Sequence, residues 1–203
     1  MLLRLEPRDS PSAIMQIVAP LAAIVLALAV GSLMLLWAGA SVFDGLSVLF
    51  EGALGSRRAI TETLLRATPL IFTGLAVTVA FRARLWNIGA EGQLYMGALA
   101  AVLVGTGMIH LPSPAMIPLL LMVAAFAGAL TMLLPTLLKL RFQVDEVVTT
   151  LLLNFIILLF VQMMVEGPLQ DPMGMGWPRS EPIIDQGRLP QLVERARLHL
   201  GFV

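Results

Sequence analysis

The chain has 203 residues, 58% of them hydrophobic and 13% charged, with a mean hydropathy of +0.90; soluble domains carry about 45–50% apolar and about 25% charged residues, so a soluble globular domain is excluded. Thirteen basic residues balance thirteen acidic ones, which leaves no basic field for nucleic acid. There is no cysteine and there are only two histidines, which removes disulfides, thiolate metal sites, a cysteine nucleophile and most histidine-based metal chemistry. What remains is a protein of the lipid bilayer.

Residues 1–13 carry charges of both signs and read as an aqueous N-terminal segment. No charged side chain lies between Asp9 and Asp44, and residues 14–37 are long enough to cross a ~30 Å hydrocarbon core. A cleaved signal peptide has a shorter apolar region followed by a small-residue cleavage site, so this run predicts a first span. The second apolar run, 67–81, is short, contains Pro69 and Gly74, and reaches spanning length only by recruiting the amphipathic turn before it, 60–65, which places the second span at about 64–81. A third span is expected over 94–109, closed by a turn in which Pro112 and Pro114 prevent helix continuation. The fourth is expected over 115–138, followed by a charged loop with Lys139, Arg141, Asp145 and Glu146, and the fifth over 147–165. Residues 167–203 hold five prolines and a Met-Gly-Met-Gly segment and predict an aqueous loop with a short helix at 189–200. The expected fold is therefore an all-α polytopic membrane bundle of about five transmembrane helices, a transmembrane domain over 14–166, with a broken or re-entrant segment between the second and third spans.

Lysine and arginine in short loops set orientation. With the N-terminus cytoplasmic, the inner segments hold Arg4, Arg8, Arg82, Arg84, Lys139 and Arg141, against Arg57, Arg58 and Arg66 in the short outer loop. The long tail also carries arginines, but long segments translocate with weak regard to charge. The expected topology is N-in, with the tail on the outer face.

Polar groups at membrane depth cost free energy unless they are paired or line a wet cavity. The densest set is Asn87, Glu91 and Gln93, with Gly89 and Gly92 between them. Two readings stand: a broken helix that exposes backbone and polar groups to a solute, or a solvated loop at the interface beside Arg82 and Arg84. In the fifth span Thr150 and Asn154 share a face at i, i+4 spacing, which fits an interhelical hydrogen bond or a path lining. Gln162 extends that face into a polar seam. Ala124 and Gly128 form a small-xxx-small pair that permits close helix approach, and the twelve methionines read as apolar filler. The single lysine, Lys139, follows Leu138 and not glycine, so no phosphate-binding P-loop is present. No Gly-x-Ser-x-Gly elbow or paired intramembrane histidine occurs, which argues against an enzyme.

The run Asn87-Ile88-Gly89-Ala90-Glu91-Gly92-Gln93, followed by Met96-Gly97-Ala98, resembles the signature of permease subunits of bacterial ATP-binding cassette (ABC) importers for nucleosides and simple sugars. These belong to the larger group that serves ribose and branched-chain amino acids. Thr68-Pro69-Leu70 through Gly74-Leu75-Ala76, the stretch from Glu146 to Asn154, and Gly167-Pro168, Leu189-Pro190 and His199 to Gly201 extend the resemblance along almost the whole chain. Trp86 stands where phenylalanine is expected and Asp145 where asparagine is expected. The resemblance implies an inner-membrane permease subunit, not itself an enzyme, that works with an ATPase subunit binding the ATP, a second permease subunit and an extracytoplasmic solute-binding protein. It binds no cofactor or metal itself. It implies that Asn87, Glu91, Gln93, Thr150 and Asn154 line or shape the translocation path, with Gly89 and Gly92 allowing the break. Family members continue past the outer loop into further helices, so the chain reads as the N-terminal portion of a permease. An ion-gradient-driven transporter or channel, and a non-transporting membrane scaffold, are the alternatives.

Overall fold

The computed structural model describes residues 12–193 and 196–202. It is all-helical: α1 (Ala13–Trp37), α2 (Val42–Leu54), α3 (Arg57–Arg82), α4 (Ala90–Gly105), α5 (Ser113–Phe142) and α6 (Glu146–Glu166), then two single 3₁₀ turns, Asp185–Gly187 and Leu200–Phe202. Contacts divide it into two units, one ending at Ile60 and one starting at Thr61.

In the first unit, the Ser12 side chain accepts the Met15 amide and starts α1. The helix ends in a Schellman motif: Gly39 takes φ 75°, and the Ala40 amide reaches back to the Leu35 carbonyl at 2.9 Å. Ser41 then caps α2 by accepting the Asp44 amide. This helix, with Asp44 and Glu51 among apolar residues, is an element not anticipated between the first two spans. The expected N-terminal segment 1–13 lies outside the described residues apart from its last two.

The second unit begins at Thr61, just past the first turn of α3. Ser56 Oγ accepts the Ala59 amide at 3.0 Å, so the helix starts at Arg57, about two turns before the expected Leu64 (residues 64–81). That resolves the length deficit, since 26 residues rise about 39 Å. α3 ends with Arg84 in the left-handed region (φ 58°), the Leu85 amide bonding the Ala80 carbonyl at 2.9 Å and the Arg84 amide the Phe81 carbonyl at 3.0 Å. A side chain in that conformation costs about 1–2 kcal/mol. Arg84→Gly is therefore expected to stabilise the protein by about 0.5–1 kcal/mol net of glycine's greater entropy loss, read as a raised unfolding midpoint in detergent; a lowered midpoint contradicts this.

α5 runs four residues past the expected end at Leu138, so Lys139 and Arg141 occupy its last turn, where cations favour the helix dipole. The charged loop shrinks to Gln143–Asp145. Asp145 caps α6, its Oδ1 accepting the Val147 and Val148 amides at 2.8 and 3.2 Å; aspartate and asparagine cap about equally well, so the departure noted at this position leaves the cap intact.

Four helices, α1, α3, α5 and α6, are long and apolar enough to cross a membrane. α4, expected as a span over 94–109, covers Ala90–Gly105 instead, and its 16 residues rise about 24 Å, short of a ~30 Å core. The shift has two causes: the polar signature forms the helix's first turn, and Gly107, at φ 113°, lies in the turn that ends it.

After α6 the described chain forms turns and two isolated antiparallel bridges, Gln170 with Ser180 and Gln191 with His199. The expected helix at 189–200 is absent from its described residues. Pro190 and Leu192 pair instead with Leu200 and Leu198 at 3.0 and 2.9 Å, an extended arrangement that suits a proline lacking the helical N–H. Ile183 and Gly187 pack on α4 and α5: the Ile184 amide bonds the Gly105 carbonyl at 2.9 Å, and a Cβ on Gly187 would meet Ile183 and Leu120. The tail thus covers the end of α4 and α5 opposite to the α3–α4 break.

Candidate functional site

The α3–α4 connection and the start of α4 meet α6 in a polar node. α4 begins at Gly89, which has no side chain with which to cap the free amides of the first turn. The acceptors come from elsewhere. Asn87 Oδ1 accepts the Gly89 amide at 2.8 Å, Thr150 Oγ1 accepts the Ile88 amide at 3.2 Å, and Asn154 Oδ1 accepts the Gly92 amide at 2.5 Å. Two of the three caps are thus supplied by α6 across 62 residues of sequence.

Glycine is required here by close approach and not by backbone freedom. Gly89 has φ −95° and ψ 14°, open to any residue. A Cβ on it would lie 3.0 Å from the Thr150 carbonyl oxygen, and one on Gly92 would lie 2.8 Å from Asn154 Oδ1 and 3.2 Å from its Cα. The two glycines let α6 lie against the first turn of α4; the absence of side chains at the cap then makes the foreign caps necessary.

Further hydrogen bonds knit the node together. Thr150 Oγ1 also donates to the Glu146 carbonyl at 2.7 Å, Asn87 Nδ2 donates to Gln93 Oε1 at 3.3 Å, and Gln93 Nε2 donates to Met132 Sδ at 3.1 Å. Among the described residues no buried side-chain nitrogen or oxygen lacks a partner. The space left between Gly89, Gln93, Thr150 and Asn154 is about 10 Å³, too small to seat a solute. Of the two readings of Asn154, the interhelical hydrogen bond is the one seen. Asn154→Leu leaves the Gly92 amide buried without an acceptor, an expected loss of about 1–3 kcal/mol, whereas Asn154→Gln, which keeps the acceptor, should lose less; unfolding in detergent measures both, and equal stabilities would remove the bond from the account.

Gln93 alone of the expected site residues also borders a sizeable cavity, an apolar groove of about 630 Å³ between α3, α4 and α5, lined by Phe72, Thr73, Gly97, Ala125 and Met132 among others. That volume is within the range of small-molecule sites. Glu91, in the first turn of α4, is exposed and makes no hydrogen bond or ion pair among the described residues. Gln162 does not extend the seam: it is exposed and donates to Glu166 Oε1 of its own helix at 2.9 Å, because eight residues at about 100° each end some 80° away from Asn154.

Sequence reasoning did not foresee the Lys139–Glu146 ion pair, 2.6 Å between Nζ and Oε1, nor the ring contact of Trp86 with Phe81, centroids 4.9 Å apart. The seven-residue spacing of the only lysine and a first-turn glutamate across a three-residue turn was the available signal.

Four spanning helices joined to a short polar-capped one define a multi-pass helical membrane protein whose buried polar groups hold a helix break. Residues 59–191 match the family described as branched-chain amino acid transport system / permease component, and the chain belongs to that family. It is 41% identical over 185 residues to a guanosine ABC transporter permease protein of Bacillus subtilis, covering 91% of this chain and 53% of that protein. It is 38% identical over 190 residues to a glucose ABC transporter permease protein of Haloferax volcanii, covering 94% and 50%. A nucleoside ABC transporter permease protein of Lactococcus lactis is 35% identical over 155 residues, covering 76% and 43%. The chain spans about half the length of the curated relatives it matches. No solved structure matches it.

Proposed function

We propose that the chain serves as a permease subunit of an ABC importer, moving a nucleoside or simple sugar from an extracytoplasmic solute-binding protein into the cytoplasm. The observation that carries this is the family match over residues 59–191, supported by relatives named for guanosine, glucose and nucleoside transport. ATP is bound and hydrolysed by a separate ATPase subunit, since the only lysine here lies outside any P-loop, and a second permease subunit completes the pathway. The protein sits in the bacterial inner membrane with its N-terminus cytoplasmic. Arg82, Arg84, Lys139 and Arg141 then share the cytoplasmic side, as the positive-inside rule requires. The tail that follows α6 faces the solute-binding protein.

In this reading Asn87, Thr150 and Asn154 shape the path by holding the break, with Gly89 and Gly92 admitting α6, while Gln93 and Glu91 present polar groups toward it. The test is uptake of labelled guanosine and glucose into cells expressing the protein with its cognate ATPase and binding protein. Uptake of one of them that disappears when the ATPase is inactivated supports the proposal. Uptake that survives without the ATPase and follows the proton gradient overturns it in favour of a secondary transporter, and an assembled complex that transports neither overturns it in favour of a scaffold.

A further inference from the structure

The polar node does not end at Thr150. The Thr150 hydroxyl that accepts the Ile88 amide donates to the carbonyl of Glu146, and the Glu146 side chain, 17% exposed, is paired with Lys139 at the C-terminal end of α5. The turn between them is short and firmly held: Gln143 is left-handed at φ 55°, its amide and that of Val144 close on the Lys139 and Leu138 carbonyls at 3.0 and 3.4 Å, and Asp145 caps α6. Trp86, at the start of the break, and Lys139 and Glu146 line one small cavity of about 90 Å³ together with Pro135 and Thr136.

We infer that the Lys139–Glu146 ion pair is a positioning device: it fixes the first turn of α6 against α5 and, through Thr150 Oγ1 and the Ile88 amide, sets the placement of the segment Asn87–Gln93. A displacement of the α5–α6 turn is passed by this chain of bonds to the break. The pair lies where two helix ends, one with free carbonyls and one with free amides, meet; the cation sits at the first and the carboxylate at the second, each favoured by its own helix dipole. Neither residue touches the groove beside Gln93, so their influence there is indirect. The transport consequence rests on the permease reading; the structural one does not.

The chain has no cysteine, so Ala90→Cys introduces a unique thiol at a buried position, 7% exposed, in the first turn of α4. Maleimide reacts with the thiolate, so its labelling rate in membranes reports how often water reaches the start of α4. Lys139→Met, Glu146→Gln and Thr150→Val are each expected to raise that rate about five- to tenfold, the effect of losing roughly one buried hydrogen bond from a local equilibrium. Lys139→Arg, which keeps the cation, is expected to label at the parental rate. Parental rates in Lys139→Met and Glu146→Gln overturn the inference, as does Lys139→Arg labelling as fast as Lys139→Met. In the transporting complex the uncharged variants should lower the maximal uptake rate with little change in KM, and a change confined to KM also overturns it. If no variant or parent transports, the permease reading fails, and labelling alone decides the positioning role.

Discussion

Glu91→Ala is expected to cut uptake by the assembled transporter tenfold to about hundredfold while leaving insertion and stability nearly intact. The carboxylate is exposed in the first turn of α4, where a negative charge beside free amides is worth about 0.3–1 kcal/mol, so its removal costs the fold little. Its neighbours Gly92 and Gln93 face α6 and α5, but Glu91 makes no hydrogen bond or ion pair among the described residues. A carboxylate between two apolar runs, without a partner among the described residues, is in the proposed permease available to a group that arrives from outside. A hydrogen bond to such a charge contributes about 1.5–3 kcal/mol, equivalent to a tenfold to about hundredfold loss of uptake. Glu91→Gln separates charge from shape: it should behave like Glu91→Ala if charge matters and like the parent if only a polar group is needed. Unaltered uptake in Glu91→Ala removes this residue from the mechanism.

The contrast between Glu91 and its neighbours shows which parts of the site could be read in the sequence. The polar signature was visible as a cluster, and Thr150 and Asn154 as one helical face, because both depend on local spacing. Their pairing with the amides of Ile88 and Gly92 was not, since it spans 62 residues and its acceptors stand in for a cap that Gly89 lacks. The signature therefore looked like a loop or a break, whereas Glu91, Gly92 and Gln93 are helical. For the same reason Gly89 and Gly92 looked like sources of flexibility, although their ordinary torsion angles and close contacts make them packing residues. The long apolar runs of α1, α5 and α6 were legible from hydropathy alone. α2 was not, because a 13-residue helix with two carboxylates has neither the length nor the apolarity of a span. The early start of α3 was hidden because Arg57 and Arg58 resemble loop residues until Ser56 is recognised as the cap.

Gly97→Ala tests whether the α4–α5 contact holds the second unit together. In lipid, helices gain little from hiding apolar surface from one another and associate through close packing of small residues. Here the contact is backbone to side-chain-free backbone: a Cβ on Gly97 would lie 2.9 Å from the Ala124 carbonyl oxygen, and one on Gly128 would lie 3.1 Å from the Gln93 carbonyl oxygen. A carbonyl within a helix cannot swing aside as a side-chain tip can. Gly97→Ala must therefore push α5 away, an overpacking cost of about 1–3 kcal/mol, more than the roughly 1 kcal/mol that alanine gains over glycine in a helix. The displacement also reaches Met132, the acceptor for Gln93 Nε2, so the polar node loosens with it. Gly74→Ala in α3 is the matched control: nothing lies within 4 Å of its Cβ, so the same chemical change should leave stability unchanged or raise it by up to about 1 kcal/mol. Unfolding midpoints in detergent, together with crosslinking between cysteines placed on α4 and α5, measure both. A Gly97→Ala protein as stable as the Gly74→Ala protein would show that α4 and α5 are held by something other than their close glycine contact.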